Sequence, residues 1–76
     1  MSPKLPVLTA RQVIRCLEKA GFYVHHQSGS HVQLKHKAKP ELRLTVPFHT
    51  GDLPRAVIRS IIGQAGMSVD NFTGLL

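Results

Sequence analysis

A small α+β domain is the fold class this sequence predicts, with its elements in the order α-β-β-β-α. Three observations lead there. Apolar residues recur at helical spacing in two segments, one toward each end of the chain. Between those segments the period drops to two, in three short runs bounded by Ser, Gly and Pro. The chain has 76 residues, a length that allows one domain and one core. The economical packing is a three-stranded antiparallel sheet with both helices on one face and the other face wet.

Residues 1–8 contain Pro3 and Pro6, show no periodicity and are expected to form a flexible N-terminal tail, leaving 9–76 as the single domain. Thr9 reads as an N-cap, with Gln12 three residues on completing a capping box. From Ala10 the residues Val13, Ile14, Leu17 and Ala20 fall on one helical face, while Arg11, Arg15 and Lys19 take another. Gly21 closes this helix in a left-handed conformation. Phe22 and Val24, then Val32 and Leu34, alternate with polar neighbours on either side of Ser28-Gly29-Ser30. For both apolar sets to share a sheet face, the hairpin loop must hold an odd number of residues. A loop over 28–30 satisfies that parity and sets Gln27 opposite His31. A second turn over 37–41 leads to a strand with Leu42, Leu44 and Val46 inward, stopped by Pro47. Asp52 is expected to cap the second helix, with Pro54 in its first turn. Val57, Ile58, Ile61, Ile62 and Ala65 form that helix's apolar stripe, and Gly66 ends it. Ser68 and Asn71 start a last short helical turn, pinned by Phe72, Leu75 and Leu76.

Ten Lys and Arg against four Asp and Glu leave a net charge of +6 and a pI near 10.3. That balance points to a polyanionic partner, because cations that neutralise phosphates release counterions and gain affinity for nucleic acid. An apolar fraction of 42% is too rich for a disordered chain. No apolar run approaches the roughly 20 residues of a membrane-spanning helix, and no signal-peptide h-region is visible. A membrane is therefore not expected as a partner, and the chain reads as cytoplasmic. The single cysteine, Cys16, cannot close an internal disulfide and is expected in the core.

Few residues could carry chemistry. The carboxylates at 18, 41, 52 and 70 are scattered, and Gly29 and Gly51 are too isolated for a phosphate-cradling loop. Histidine is enriched: His25, His26, His31, His36 and His49. Strand parity sends His25 and His31 to the open face and His26 and His36 inward, so they do not converge. No zinc-ligand spacing occurs either, so no metal or other cofactor is expected. His31 stands apart, at the start of a strand on the open face, with Lys35 four residues on and Arg43 across the ladder. An imidazole can take or give a proton at neutral pH, and nearby cations can stabilise charge developing on a phosphate. That combination suits RNA, whose own 2′-hydroxyl is the nucleophile once deprotonated. A non-catalytic RNA-binding module of the same fold, and a basic domain that meets an acidic protein, are the other readings open at this level.

Four motifs in order carry a family resemblance: Leu17-Glu18-Lys19-Ala20-Gly21-Phe22, Gly29-Ser30-His31, Val46-Pro47-Phe48-His49, and the run from Ile58 to Ser68. Together they resemble the HicA toxin family, also called YcfA-like, over about residues 9–76. The resemblance implies a fold similar to the double-stranded-RNA-binding domain. It also implies the toxin of a type II toxin-antitoxin system, a ribosome-independent endoribonuclease that cleaves mRNA and is neutralised by a HicB-like antitoxin. By position, the family's catalytic histidine is His31, presented by Gly29 and Ser30. His49 matches the histidine after the Val-Pro strand end, either assisting catalysis or ordering its loop. Lys35 and Arg43 join the site on parity and charge alone. Ala56 departs from the glycine that many relatives carry near the start of the second helix.

Overall fold

A computed structural model of the chain describes residues 5–76. The elements run α1 (Ala10–Lys19), β1 (Phe22–Ser28), β2 (His31–His36), β3 (Arg43–Pro47), α2 (Arg55–Gln64) and α3 (Val69–Thr73). The three strands form one antiparallel sheet in the order β1-β2-β3. Val32, Leu34, Leu44 and Val46 are buried, while His31, Gln33, Arg43 and Thr45 between them are exposed. One sheet face alone is therefore covered, and the helices cover it. Val13 and Leu17 of α1, Ile58, Ile61 and Ile62 of α2 and Phe72 of α3 join those strand residues in a single core.

Each helix starts and stops for a local reason. The Thr9 hydroxyl accepts from the Gln12 backbone N–H at 3.2 Å, and the Gln12 side-chain oxygen accepts from the Thr9 N–H at 2.9 Å. This reciprocal pair satisfies two N–H groups that the first turn would leave bare. Asp52 does not cap α2, contrary to the sequence expectation. Its backbone is engaged in a bridge to Thr9, and α2 begins after Pro54 with no side-chain cap. Pro54 brings a φ of −58° already suited to a helix start. Ser68 caps α3 as expected, accepting from Asn71 N–H at 3.1 Å. The Cys16 thiol donates to the Phe72 carbonyl at 3.1 Å, and burial pushes its pKa up against a smaller opposing pull from Lys19.

The amino-terminal expectation needs correction at its inner half; residues 1–4 lie outside the described residues. Leu5 and Leu8 are 1% and 5% exposed, and so belong to the core. Leu8 C=O accepts from Leu53 N–H at 2.8 Å, and Leu5 C=O accepts from Arg55 Nε at 3.0 Å. This stretch has neither helical nor strand periodicity because it packs as one extended segment along residues 52–55, with only two side chains turned inward.

The hairpin also differs from the expectation. Strand β1 extends to Ser28, which pairs with His31, and Gly29-Ser30 alone make the turn. Gly29 takes φ +56°, as the first central residue of a II′-type hairpin turn must. The parity argument survives in another form. The odd residue sits in β1 as a bulge between Val24 and His26, not in the loop. Val24 still pairs with Leu34 on the inner side, yet it is 44% exposed, because this edge strand runs past the helices after Phe22.

His36 follows its inward parity and clamps the end of β2 to the end of α1. Its Nδ1 accepts from the backbone N–H groups of Ala38 and Lys39 at 3.0 and 3.1 Å. The proton must then sit on Nε2, which donates to the Ala20 carbonyl at 3.0 Å. The ring also meets Phe22 edge-on, centroids 4.9 Å apart.

Two stability measurements follow from this packing. Leu5→Ala should cost about 2–5 kcal/mol in urea unfolding, as for other core leucines; a near-zero cost would mean that the segment is not docked. Gly21 has φ +104°, and an added Cβ would stand 2.7 Å from His36 Nε2. Gly21→Ala should therefore lose at least about 1–2 kcal/mol from the backbone conformation alone, and an unchanged melting temperature would refute the clamp.

Candidate nucleic-acid interface

The open face of the sheet is laid out by the registers of the three strands. From β2 it receives His31, Gln33 and Lys35; from β3, Arg43, Thr45 and Pro47; from β1, Tyr23, His26 and Ser28. Among the described residues no strand carries a carboxylate. Lys35 lies directly opposite Arg43 on one side and Tyr23 on the other. Like charges set directly across a ladder repel, at a cost of some tenths of a kcal/mol. An anion placed between the two side chains would offset that cost. Around the pair lies a shallow hollow of about 220 Å³, lined by His25, Gln33, Lys35, Arg43 and Thr45, with Gln64 of α2 also contributing.

His31 is exposed on the same face, at the first position of the central strand. Its neighbours across the ladders are Ser28 and Pro47. The ring is thus not beneath the helices. It is, however, outside the hollow: four residues of strand at roughly 3.3 Å each set His31 about 13 Å from Lys35. His31 and the Lys35–Arg43 pair therefore share a surface but stand too far apart to meet one small group.

Gly29 and Ser30 bring the adjoining loop into place. Gly29 supplies the positive φ of the turn, and the Ser30 carbonyl accepts from Phe48 N–H. That bond ties the loop after β3 to the hairpin turn, at the His31 end of the sheet. His49 is exposed there, its Nδ1 3.3 Å from the Thr50 carbonyl oxygen. Beside it a cleft of about 580 Å³ is lined by Thr9, Arg11, Phe48 and His49 among others, and the Arg11 guanidinium stands 6.0 Å from the Phe48 ring centroid.

Sequence reasoning missed His26. Parity alone sends it inward, but the bulge resets the alternation and pairs it with Gln33 on the open face. The signal that could have found it was the number of residues between Val24 and Leu34, which fits a two-residue turn only if one extra residue sits in a strand. Among the described residues no three His, Cys, Asp or Glu side chains are gathered as a metal ion would need. Nor is any described helix long and apolar enough to cross a membrane.

No curated protein matches the chain. A family model described as HicA toxin of bacterial toxin-antitoxin matches residues 10–67, a span that holds every candidate residue above.

Proposed function

The chain belongs to the HicA toxin family of bacterial toxin-antitoxin systems, and on that premise we propose that it is an endoribonuclease that cuts mRNA without the ribosome. The observation that carries this reading is the exposed imidazole of His31 at one end of a sheet face that also carries the cations of Lys35 and Arg43 and, among the described residues, no carboxylate on a strand. His31 moves a proton, either from the attacking 2′-hydroxyl or to the leaving 5′-oxygen. The 2′-oxygen forms a bond to phosphorus, the bond to the 5′-oxygen breaks, and the products are a 2′,3′-cyclic phosphate and a 5′-hydroxyl. The nucleophile belongs to the substrate, so the reaction asks for no metal or cofactor.

The remaining site residues have supporting roles. Gly29 and Ser30 form the turn that presents His31. Lys35 and Arg43, about 13 Å along the strand, hold a phosphate away from the cut and fix the direction of the RNA. His49 borders the same end of the face from the loop after β3. Toxins of this kind work beside an antitoxin; here we take that partner to be a HicB-like protein and the cytoplasm, where mRNA is found, to be the site of action. The distance between His31 and the cation pair also favours a second reading, in which the face only binds RNA.

Purified protein incubated with mRNA in EDTA distinguishes the two readings. Wild type should produce fragments and His31→Ala should lose at least about 10²-fold in rate, with the same melting temperature and no growth arrest on expression. A 2′-deoxy nucleotide at the cut site should block cleavage. Wild-type binding without fragments would leave only the RNA-binding module. A second measurement addresses the cations. Lys35→Ala and Arg43→Ala should each lower the slope of log affinity against log salt by about 0.7 on single-stranded RNA, and an unchanged slope would remove them from the interface.

A further inference from the structure

The bulge in β1 turns the imidazole of His26 to the open face, opposite Gln33, and none of the roles assigned above involves it. Ser28 pairs with His31, and two residues back along β1 His26 pairs with Gln33. These four side chains occupy the corners of one square on the same face, with the two histidines diagonally opposed. Diagonal neighbours across an antiparallel ladder lie about 7–8 Å apart, within reach of aromatic side chains. Both rings are exposed. The other diagonal holds the small Ser28 hydroxyl and the Gln33 amide. A phosphoryl group seated between the two rings would have an imidazole on each side, the arrangement that two proton transfers at about 2.6–3.2 Å require.

We propose that His26 is the second proton-transfer group of the cleavage reaction. This rests on the ribonuclease reading of the same face. One imidazole takes the 2′-hydroxyl proton as the oxygen–phosphorus bond forms. The other, starting protonated, delivers its proton to the 5′-oxygen as the bond to phosphorus breaks. The reaction ends with both products neutral at the oxygens concerned and the two rings with exchanged protonation. Gln33 donates an N–H to a non-bridging phosphate oxygen, and Ser28 is small enough to admit the backbone.

The other histidines do not fit this role. His36 has both ring nitrogens committed to backbone partners. His25, the extra residue of the bulge, lines the hollow that holds Lys35 and Arg43. His49 sits beyond the end of β3, and its Nδ1 lies at the Thr50 carbonyl. Bulges are recurrent devices for re-aiming a side chain next to a reactive centre. Here the effect is to set His26, in place of His25, opposite Gln33 and diagonally across from His31.

The test uses the full chain and two RNA substrates, one natural and one with sulfur replacing the bridging 5′-oxygen at the cut. Sulfur leaves as thiolate without needing a proton, so the variant that lacks the general acid regains activity on it. On the natural substrate, His26→Ala should fall 10²–10⁴-fold in kcat while keeping the wild-type circular dichroism spectrum. On the sulfur substrate, only one of His26→Ala and His31→Ala should recover to within about tenfold of wild type. The pH profile of kcat/KM should lose one limb in His26→Gln, which a merely structural residue would not do. Tyr23, His25, Lys35 and Arg43 are the other titratable or charged groups on this face, and they stay in place in both variants. A wild-type rate for His26→Ala, or recovery of neither variant, would overturn the proposal while leaving His31 as the catalytic group. Absence of cleavage by wild type would instead overturn the ribonuclease reading itself.

Discussion

The alternation of β2 between buried and exposed positions is the constraint on which the rest of the molecule depends. This strand is hydrogen-bonded on both edges, so its register cannot slip without moving Val32 and Leu34 out of the core. Holding those two side chains under the helices forces His31, Gln33 and Lys35 to the other side. The open face is thus the mirror of the core, and it is as fixed as the core is. A ring carried on a loop would have no such restraint, whereas one on a central strand is positioned by the ladder bonds on each side of it.

That arrangement divides labour between the layers. Stability comes from the helical side, where α1, α2, α3 and the segment from Leu5 to Leu8 enclose the inner residues of the sheet. The open side contributes little apolar burial and sets Lys35 opposite Arg43, which opposes folding slightly. A domain of this size has a small margin, so a repulsive pair on the open face is a noticeable cost. The same separation means that side chains can be exchanged on the open face while the core stays intact, so a loss of activity there reports on chemistry.

Most of the architecture was legible because it follows from periodicity. Val13, Leu17, Ile58 and Ile61 announce helices by their spacing, and Leu34, Leu44 and Val46 announce strands. Thr9 with Gln12 announces a boundary, and Gly21 closes the same helix. Part of what stayed hidden has a common physical origin: backbone pairings between residues far apart in sequence. Leu5 and Leu8 look like a tail because their partners, Leu53 and Arg55, lie some fifty positions away. Asp52 looks like a cap because nothing local shows that its backbone meets Thr9. His31 was legible from its turn and its parity. Its distance from Lys35 was implicit in strand rise, though charge alone invited grouping the two.

The bulge at His25 shows why parity is a sum and not a local rule. Between Val24 and Leu34, two inner residues paired with each other, the chain must place an odd number of residues. A three-residue loop and a two-residue turn with one bulged residue satisfy that sum equally well. The choice between them decides which of His26 and Gln27 faces outward. Gly29 favours the two-residue turn, since its φ of +56° suits the first central position and Ser30 then needs no left-handed conformation. The shorter turn consumes one residue fewer, and the surplus passes into the edge strand, where a disrupted ladder costs least because one side is already unpaired. The single glycine of the hairpin therefore controls, through the count of residues behind it, which side chain stands diagonally across from His31.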